Sequence, residues 1–269
     1  MYYIYISALK MGVKTLFMGT AMDIYEKVEQ LRTALGAVRP FKEPKLKRLR
    51  NHYRVGLIWS SNAFEGNSLT EAETKVVLKK GLTTVIKSLR EIHEVVGHGK
   101  AYDYVFSIFK NKEITVENIK AIHKLFYQVI DKDEAGVWRK DNVIVSGTGF
   151  VFPPAGEIDS LMEGLITWIN TTRGTLHPLK FAALLHLKFV TIHPFIGGNG
   201  QVAQLLTCLA LIQDGYVPAL IPPTIRPAYL KLLRSYQQKG ADTPFCEFVA
   251  ERVYESHKDI AQLFNIDTP

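Results

Sequence analysis

His193 and Pro194 lead into Phe195-Ile196-Gly197-Gly198-Asn199-Gly200, a glycine-rich stretch between two apolar runs at 181–190 and 201–212. The pattern reads as helix, loop, helix. A helix that starts in such a loop leaves its first N–H groups unpaired and turns the positive end of its dipole to the same spot. That combination binds anions, and glycine lets a phosphate approach the backbone closely. An imidazole at its edge is placed to take a proton from an attacking hydroxyl. The plainer alternative is a connecting turn, with His-Pro as a helix terminator. A second set of polar residues closes an earlier helix. Leu57, Ser61 and Glu65 are four apart and share one face, so Glu65 extends an apolar line with a carboxylate. Spacing leaves two placements open: the carboxylate faces inward, or it bends out to water from a helix end whose dipole disfavours it.

Other chemical patterns fail on spacing. His93 and His98 stand five apart, which turns the rings to different sides of a helix and excludes the metal site of an HExxH protease. No P-loop and no local Ser/His/Asp signature is present. His186 reads as a core or supporting histidine, His177-Pro178 as a helix start, and Cys208 as a small buried hydrophobe. Neither Cys208 nor Cys246 belongs to a CxxC pattern, which fits a reducing compartment and no structural zinc.

Helical periodicity dominates the elements that must position these residues. It predicts helices at 23–35, 44–64, from Thr70, and at 87–109, 116–130, 157–170, 179–191, 201–213, 226–238 and 244–264. Leu46, Leu49, Tyr53 and Leu57 stripe the second, and Thr70 with Glu73 has capping-box spacing. The break is at 136–154, where Val143-Ile144-Val145, Gly147-Thr148-Gly149 and Phe150-Val151-Phe152 predict a short β-hairpin. With 269 residues, 47% hydrophobic and 22% charged, the chain suits one large core with helical additions. Its net charge of +7 leaves room for an anionic ligand without requiring nucleic acid, and the basic run at 42–54 reads as a solvated face. Residues 1–21 form an apolar leader that Lys10 and Lys14 interrupt, too short for a membrane span and a poor signal peptide. The expected organisation is an uncertain leader at 1–21, an N-terminal helical region at 22–95, a core at 96–213 and completing helices at 214–269. The expected location is cytoplasmic.

The stretch from His193 to Gln201 resembles the signature of the Fic (Fic/Doc) family, H-P-F-x-[D/E]-G-N-G-R, and matches six of its eight fixed positions. Gly136-Val137-Trp138-Arg139, Pro153-Pro154, Gln213 to Tyr216 and Pro244-Phe245 extend the resemblance over about residues 45–248. It implies an all-α Fic fold with a short β-hairpin flap, and transfer of AMP from ATP to a Ser, Thr or Tyr hydroxyl on a target protein. His193 would be the general base. The amides around Gly198, Asn199 and Gly200, with Gln201 next to them, would hold the phosphates, and Tyr229 would lie near the adenine. Val143, Ile144, Val145, Phe150, Val151 and Phe152 would form the flap that docks the target by strand addition. The G-N-G core favours AMP over a terminal phosphate as the transferred group. Ser61, Glu65 and Gly66 resemble the inhibitory motif [S/T]-x-x-x-E-[G/N], whose glutamate pairs with the signature arginine.

Three positions depart from the pattern. Gly197 replaces the acid that holds magnesium, Gln201 the signature arginine, and Gln204 a second arginine. Glycine offers a hard cation no oxygen, so Mg2+ has lost its usual ligand, and glutamine lacks the charged fork that suits phosphate. At about 1.5–3 kcal/mol for each lost bond to a charged group, ATP binding would weaken by on the order of 10²- to 10⁴-fold. Glu65 would face a neutral Gln201, so its removal is expected to release little activity. A second expectation follows: a degenerate scaffold that binds a nucleotide or protein partner without transferring AMP.

Overall fold

Apolar residues at helical spacing and well-formed helix starts dictate the architecture. The computed structural model describes residues 22–37, 43–82, 86–144 and 149–267; the leader at 1–21 and Val145 of the expected flap lie outside them. The described residues form α1 (Ile24–Ala37), α2 (Glu43–Phe64), α3 (Glu71–Lys80), α4 (Leu89–Ile108), α5 (Val116–Tyr127), α6 (Ile158–Thr172), α7 (Pro178–Ile192), α8 (Asn199–Gln213), α9 (Arg226–Lys239) and α10 (Thr243–Phe264). Each lies within a few residues of the helix that the periodicity predicts. Capping fixes several starts: Thr70 and Glu73 close the expected box on α3, and Ser88 with Glu91 and Thr115 with Asn118 do the same for α4 and α5. At α7 the His177 ring accepts from the Leu179 amide, and Pro178 takes the first position, where its missing N–H costs nothing.

The α7–α8 pair is the centre of the core. Every residue of α8 except Gly200 and Ile212 is buried, which is why that helix is apolar on all sides. Around the pair, α5 packs on α4 and α8, α6 on α7, and α10 on α1 and α7, while α2 runs along α3 and α4 until its end reaches α8. Leu49, Tyr53 and Leu57 of the α2 stripe are buried; the side chain of Leu46 lies outside the described set. Lys47, Arg48 and Arg50 are exposed, in keeping with a solvated face, and Arg54 forks onto Asp103 of α4 at 2.9 and 2.8 Å.

The expected hairpin is not seen, and its residues 145–148 lie outside the described set. Among the described residues no strand occurs, and 142–144 and 149–154 carry no regular structure. Side-chain bonds close the base of the loop instead of a backbone ladder. Arg139 donates to the carbonyls of Asp141 (3.0 Å) and Pro153 (2.6 Å), and the Ala155 amide donates to Asn142 Oδ1 at 2.9 Å. Pro153 and Pro154 have no N–H, so any pairing on that side could not extend past Phe152.

Candidate active site

α7 ends on His193 itself, which adopts a left-handed conformation with φ +54° and donates its amide to Phe189. The imidazole ring packs against that of Phe152, with centroids 4.4 Å apart. Nδ1 lies 3.3 Å from the Val190 carbonyl, so Nδ1 carries the proton and Nε2 keeps its lone pair. Nε2 has no hydrogen-bond partner among the described residues. Burial lowers the imidazole to about 4, a shift opposed by the Val190 carbonyl and aided by Arg139, so the ring is neutral at neutral pH. Buried Arg139 clamps the turn: its amide donates to the Pro194 carbonyl (2.9 Å) and its Nε to the His193 carbonyl (2.8 Å).

The loop after His193 is held from within. Asn199 Oδ1 accepts from the Phe195 amide at 3.0 Å, and Nδ2 donates to the Phe195 carbonyl at 2.8 Å. The side chain of Asn199 is therefore spent on shaping the loop. His123 holds the other side. Its Nδ1 accepts from the Gly136 amide at 2.8 Å, so Nε2 carries the proton and donates to the Gly197 carbonyl at 3.1 Å. The same ring stacks on Phe195 with centroids 3.6 Å apart. Gly198 takes φ +73° against Phe126, whose Cε1 would lie 2.7 Å from any Cβ there, so only glycine fits. α8 then begins, and the amides of Asn199, Gly200 and Gln201 precede its first i→i−4 bond.

Glu65 lies over this mouth. Its Oε1 occupies the place a Cβ on Gly200 would take. The carboxylate lines a recess that water reaches, with protein on most sides. That crowding raises its pKa above the usual glutamate value; Arg226 opposes the rise and Glu94 adds to it. The turn that carries it is held on two sides. Arg226 Nε donates to the Phe64 carbonyl at 2.6 Å, and Asn67 Nδ2 donates to the Glu91 carbonyl (3.0 Å) and to Glu94 Oε2 (2.9 Å). Ser61 is buried, and its Oγ has no partner among the described residues. Gly66 turns the chain at φ +96°.

A family comparison decides what kind of domain this is: residues 113–211, from the start of α5 to the end of α8, match the model of the Fic/DOC family. The chain carries a Fic/DOC domain. It is 33% identical over 228 residues to the protein adenylyltransferase Fic of Drosophila erecta, and 34% identical over 226 residues to that of Drosophila grimshawi. These matches cover 84% and 83% of this chain but 45% and 46% of the relatives, so the chain spans about half the length of the curated proteins it matches. The fold is similar to the crystal structure of a Fic domain containing signaling protein from Bacteroides thetaiotaomicron, with TM-score 0.81, 26% identity, and coverage of 90% of this chain and 98% of that one. Fic-1 from C. elegans gives TM-score 0.82 at 26% identity, covering 90% of this chain and 72% of that one.

The remaining expected residues are spread unevenly. Gln201 and Gln204 are buried on α8 beneath the mouth. Tyr229 is buried too: its hydroxyl bonds to His186 Nε2 at 2.8 Å, and its ring packs edge-on against Phe64. His186 reaches Thr207 Oγ1 through Nδ1 at 3.0 Å, so it belongs to a core network. In the flap region Phe152 is buried with its ring 4.4 Å from that of His193, whereas Ile144 and Val151 are 95% and 90% exposed. His93 is exposed and His98 buried, on different sides of α4, and His98 Nδ1 bonds to Asn62 Oδ1 at 3.2 Å. The magnesium position does not fit a cation held by an acid. Gly197 has no side chain, and the space its Cβ would enter holds the Tyr127 hydroxyl, 2.7 Å away. No group of three or more His, Cys, Asp or Glu among the described residues could hold a metal, and no described helix is long and apolar enough to cross a membrane. Sequence reasoning missed His123, Tyr127 and Arg226, which reach the site only through packing.

Proposed function

We propose that this protein transfers AMP from ATP to a hydroxyl of a protein target, slowly and under restraint by Glu65. The observation that carries the reading is the neutral His193. With Nδ1–H on the Val190 carbonyl, its Nε2 lone pair is free beside a helix start whose first amides are unpaired. In this reaction the α- and β-phosphates of ATP lie on the amides of Gly198, Asn199 and Gly200. Nε2 of His193 takes the proton of a Ser, Thr or Tyr hydroxyl, the oxygen bonds to the α-phosphorus, and the bond to the bridging oxygen breaks to release pyrophosphate. The negative phosphates would raise the imidazole from about 4 towards the range where a base works well. Tyr229, buried under the recess, supports the adenine end as part of the floor. The exposed Ile144 and Val151 offer the target an apolar edge on the loop that closes over His193. The relatives named protein adenylyltransferase support the same chemistry.

Glu65 is the brake in this reading. A carboxylate over Gly200 repels the phosphates that the α8 start attracts, and Arg226 takes the part of the missing arginine by tethering the adjoining carbonyl. Gln201 and Gln204, both neutral and buried, favour a second reading, a scaffold that binds nucleotide or a protein partner without transfer. Incubation of the protein with α-labelled and, separately, γ-labelled ATP divides the two. Label from the α-position only, lost in His193→Ala, is the outcome the transferase requires. Nucleotide binding with no transfer of label would leave the scaffold.

A further inference from the structure

Position 197 is filled from outside. A Cβ there would lie 2.7 Å from Tyr127 Oη, 3.2 Å from Cζ and 3.3 Å from Cε2, so the hydroxyl and ring edge of the last residue of α5 occupy the volume of the absent side chain. Tyr127 is no loose surface group. Its ring stacks on His123 with centroids 4.9 Å apart and planes 21° apart, and His123 is itself fixed by the Gly136 amide, the Gly197 carbonyl and the Phe195 ring. The neighbouring Phe126 packs against Gly198. α5 thus ends directly under the glycine loop, with a phenol where a carboxylate would otherwise project. The Tyr127 hydroxyl is half-buried and has no hydrogen-bond partner among the described residues, so it is a free donor beside the loop.

This changes the charge logic of the mouth. An acid next to bound phosphates is tolerable only with a cation between them, whereas a neutral O–H donates to a phosphate oxygen directly. Gly197, Gln201, Gln204 and Tyr127 are a neutral set around the α8 start, and the carboxylate at the mouth is Glu65, over Gly200 rather than at position 197. Resting on the nucleotide reading above, we infer that the Tyr127 hydroxyl takes over position 197 as a phosphate donor, so that this site binds nucleotide without recruiting a divalent cation. Burial raises the phenol above its usual value, which keeps it protonated and donating at neutral pH. A second consequence concerns repair: an acid returned to position 197 would collide with Tyr127.

Calorimetric titration with α,β-methylene-ATP, in EDTA and in magnesium, tests this on the full chain and on Tyr127→Phe, Gly197→Asp and Tyr127→Ala/Gly197→Asp. Melting temperatures check that each variant is folded. The native chain should bind with the same affinity in both buffers, and Tyr127→Phe about tenfold more weakly in both, the loss of one hydrogen bond to a charged group. Gly197→Asp alone should lose binding in both buffers, and the double variant should bind only with magnesium. Native binding that appears only with magnesium, or Tyr127→Phe binding like the native chain, overturns the inference and leaves the nucleotide reading intact. No binding by the native chain in either buffer overturns both.

Discussion

The two halves of the loop between α7 and α8 are built in opposite ways. From His193 to Phe195 the polar groups other than His193 Nε2 have partners inside the fold: Arg139 holds the His193 and Pro194 carbonyls, Val190 orients the imidazole, and Asn199 takes both polar groups of the Phe195 backbone. From Gly197 to Gln204 the side chains are small or neutral, and the space is occupied by residues from elsewhere, Tyr127 from α5 and Glu65 from the end of α2. The half that would move a proton is rigid and orthodox. The half that would bind charge carries neutral residues of its own, under the Glu65 carboxylate from the end of α2. The contrast teaches that a shortened signature need not mean a collapsed site, since the backbone that makes the anion site is held by the first half.

The largest effect should come from acid, because the rigid half depends on neutral histidines. His123, His186 and His193 are each lowered to about 4, and His98 to about 3, all by burial. Each binds a proton less readily in the native state than in the unfolded chain, so its contribution is complete above about 6.5 and is lost as pH falls towards about 4. Unfolding free energies from urea titrations at pH 7 down to pH 4 should therefore fall, by up to about 1 kcal/mol per pH unit for each histidine. A flat profile would mean that these rings take up protons as readily in the native state as in the unfolded chain.

Next in size is His193→Ala, which should reduce transfer of label by about 100-fold or more while nucleotide binding persists. Loss of binding along with transfer would move His193 from the proton-moving half to the charge-binding half. Arg139→Met removes three side-chain bonds to carbonyls that hold the loop and the base of the flap. It should destabilise the fold by about 3 kcal/mol, read from denaturant unfolding. A stable variant would show that the rigid half does not need its clamp.

The smallest effect is expected at Glu65. Glu65→Gln removes a like charge from the phosphate site, worth on the order of 1 kcal/mol when screened by water, so ATP should bind about fivefold more tightly. Transfer should rise little, because the missing arginines still limit it. The raised carboxyl also predicts that Glu65→Gln stabilises the protein at neutral pH, and that this advantage vanishes as pH falls below the ordinary glutamate value of 4.5. Weaker nucleotide binding in Glu65→Gln would show the carboxylate to be a ligand-side support.

Local rules made the helices readable. Capping residues at Thr70 and Glu73, Pro178 at a helix start and the apolar runs on either side of His193 each specify their own element. The flap was less legible: β-branched residues flank a glycine turn, but no strand occurs among the described residues there, and the side chains of Arg139 and Asn142 hold the base of the loop. His193 and its glycine loop were legible because they are adjacent in sequence. Tyr127 was not, since nothing near it signals that α5 ends beneath Gly197. Arg226 escaped likewise, because its carbonyl partner on Phe64 comes from a distant helix. Glu65 stood between these cases: its spacing marked the face it would share, and only the packing of α2 on α8 brought it over Gly200.

A crystal of the protein soaked with α,β-methylene-ATP tests the α8 start as the nucleotide site most directly. Phosphate oxygens should lie within hydrogen-bonding distance of the Gly198, Asn199 and Gly200 amides, with Nε2 of His193 turned towards the α-phosphorus. A nucleotide bound elsewhere, with Glu65 still seated over Gly200 and the imidazole turned inward, would contradict it.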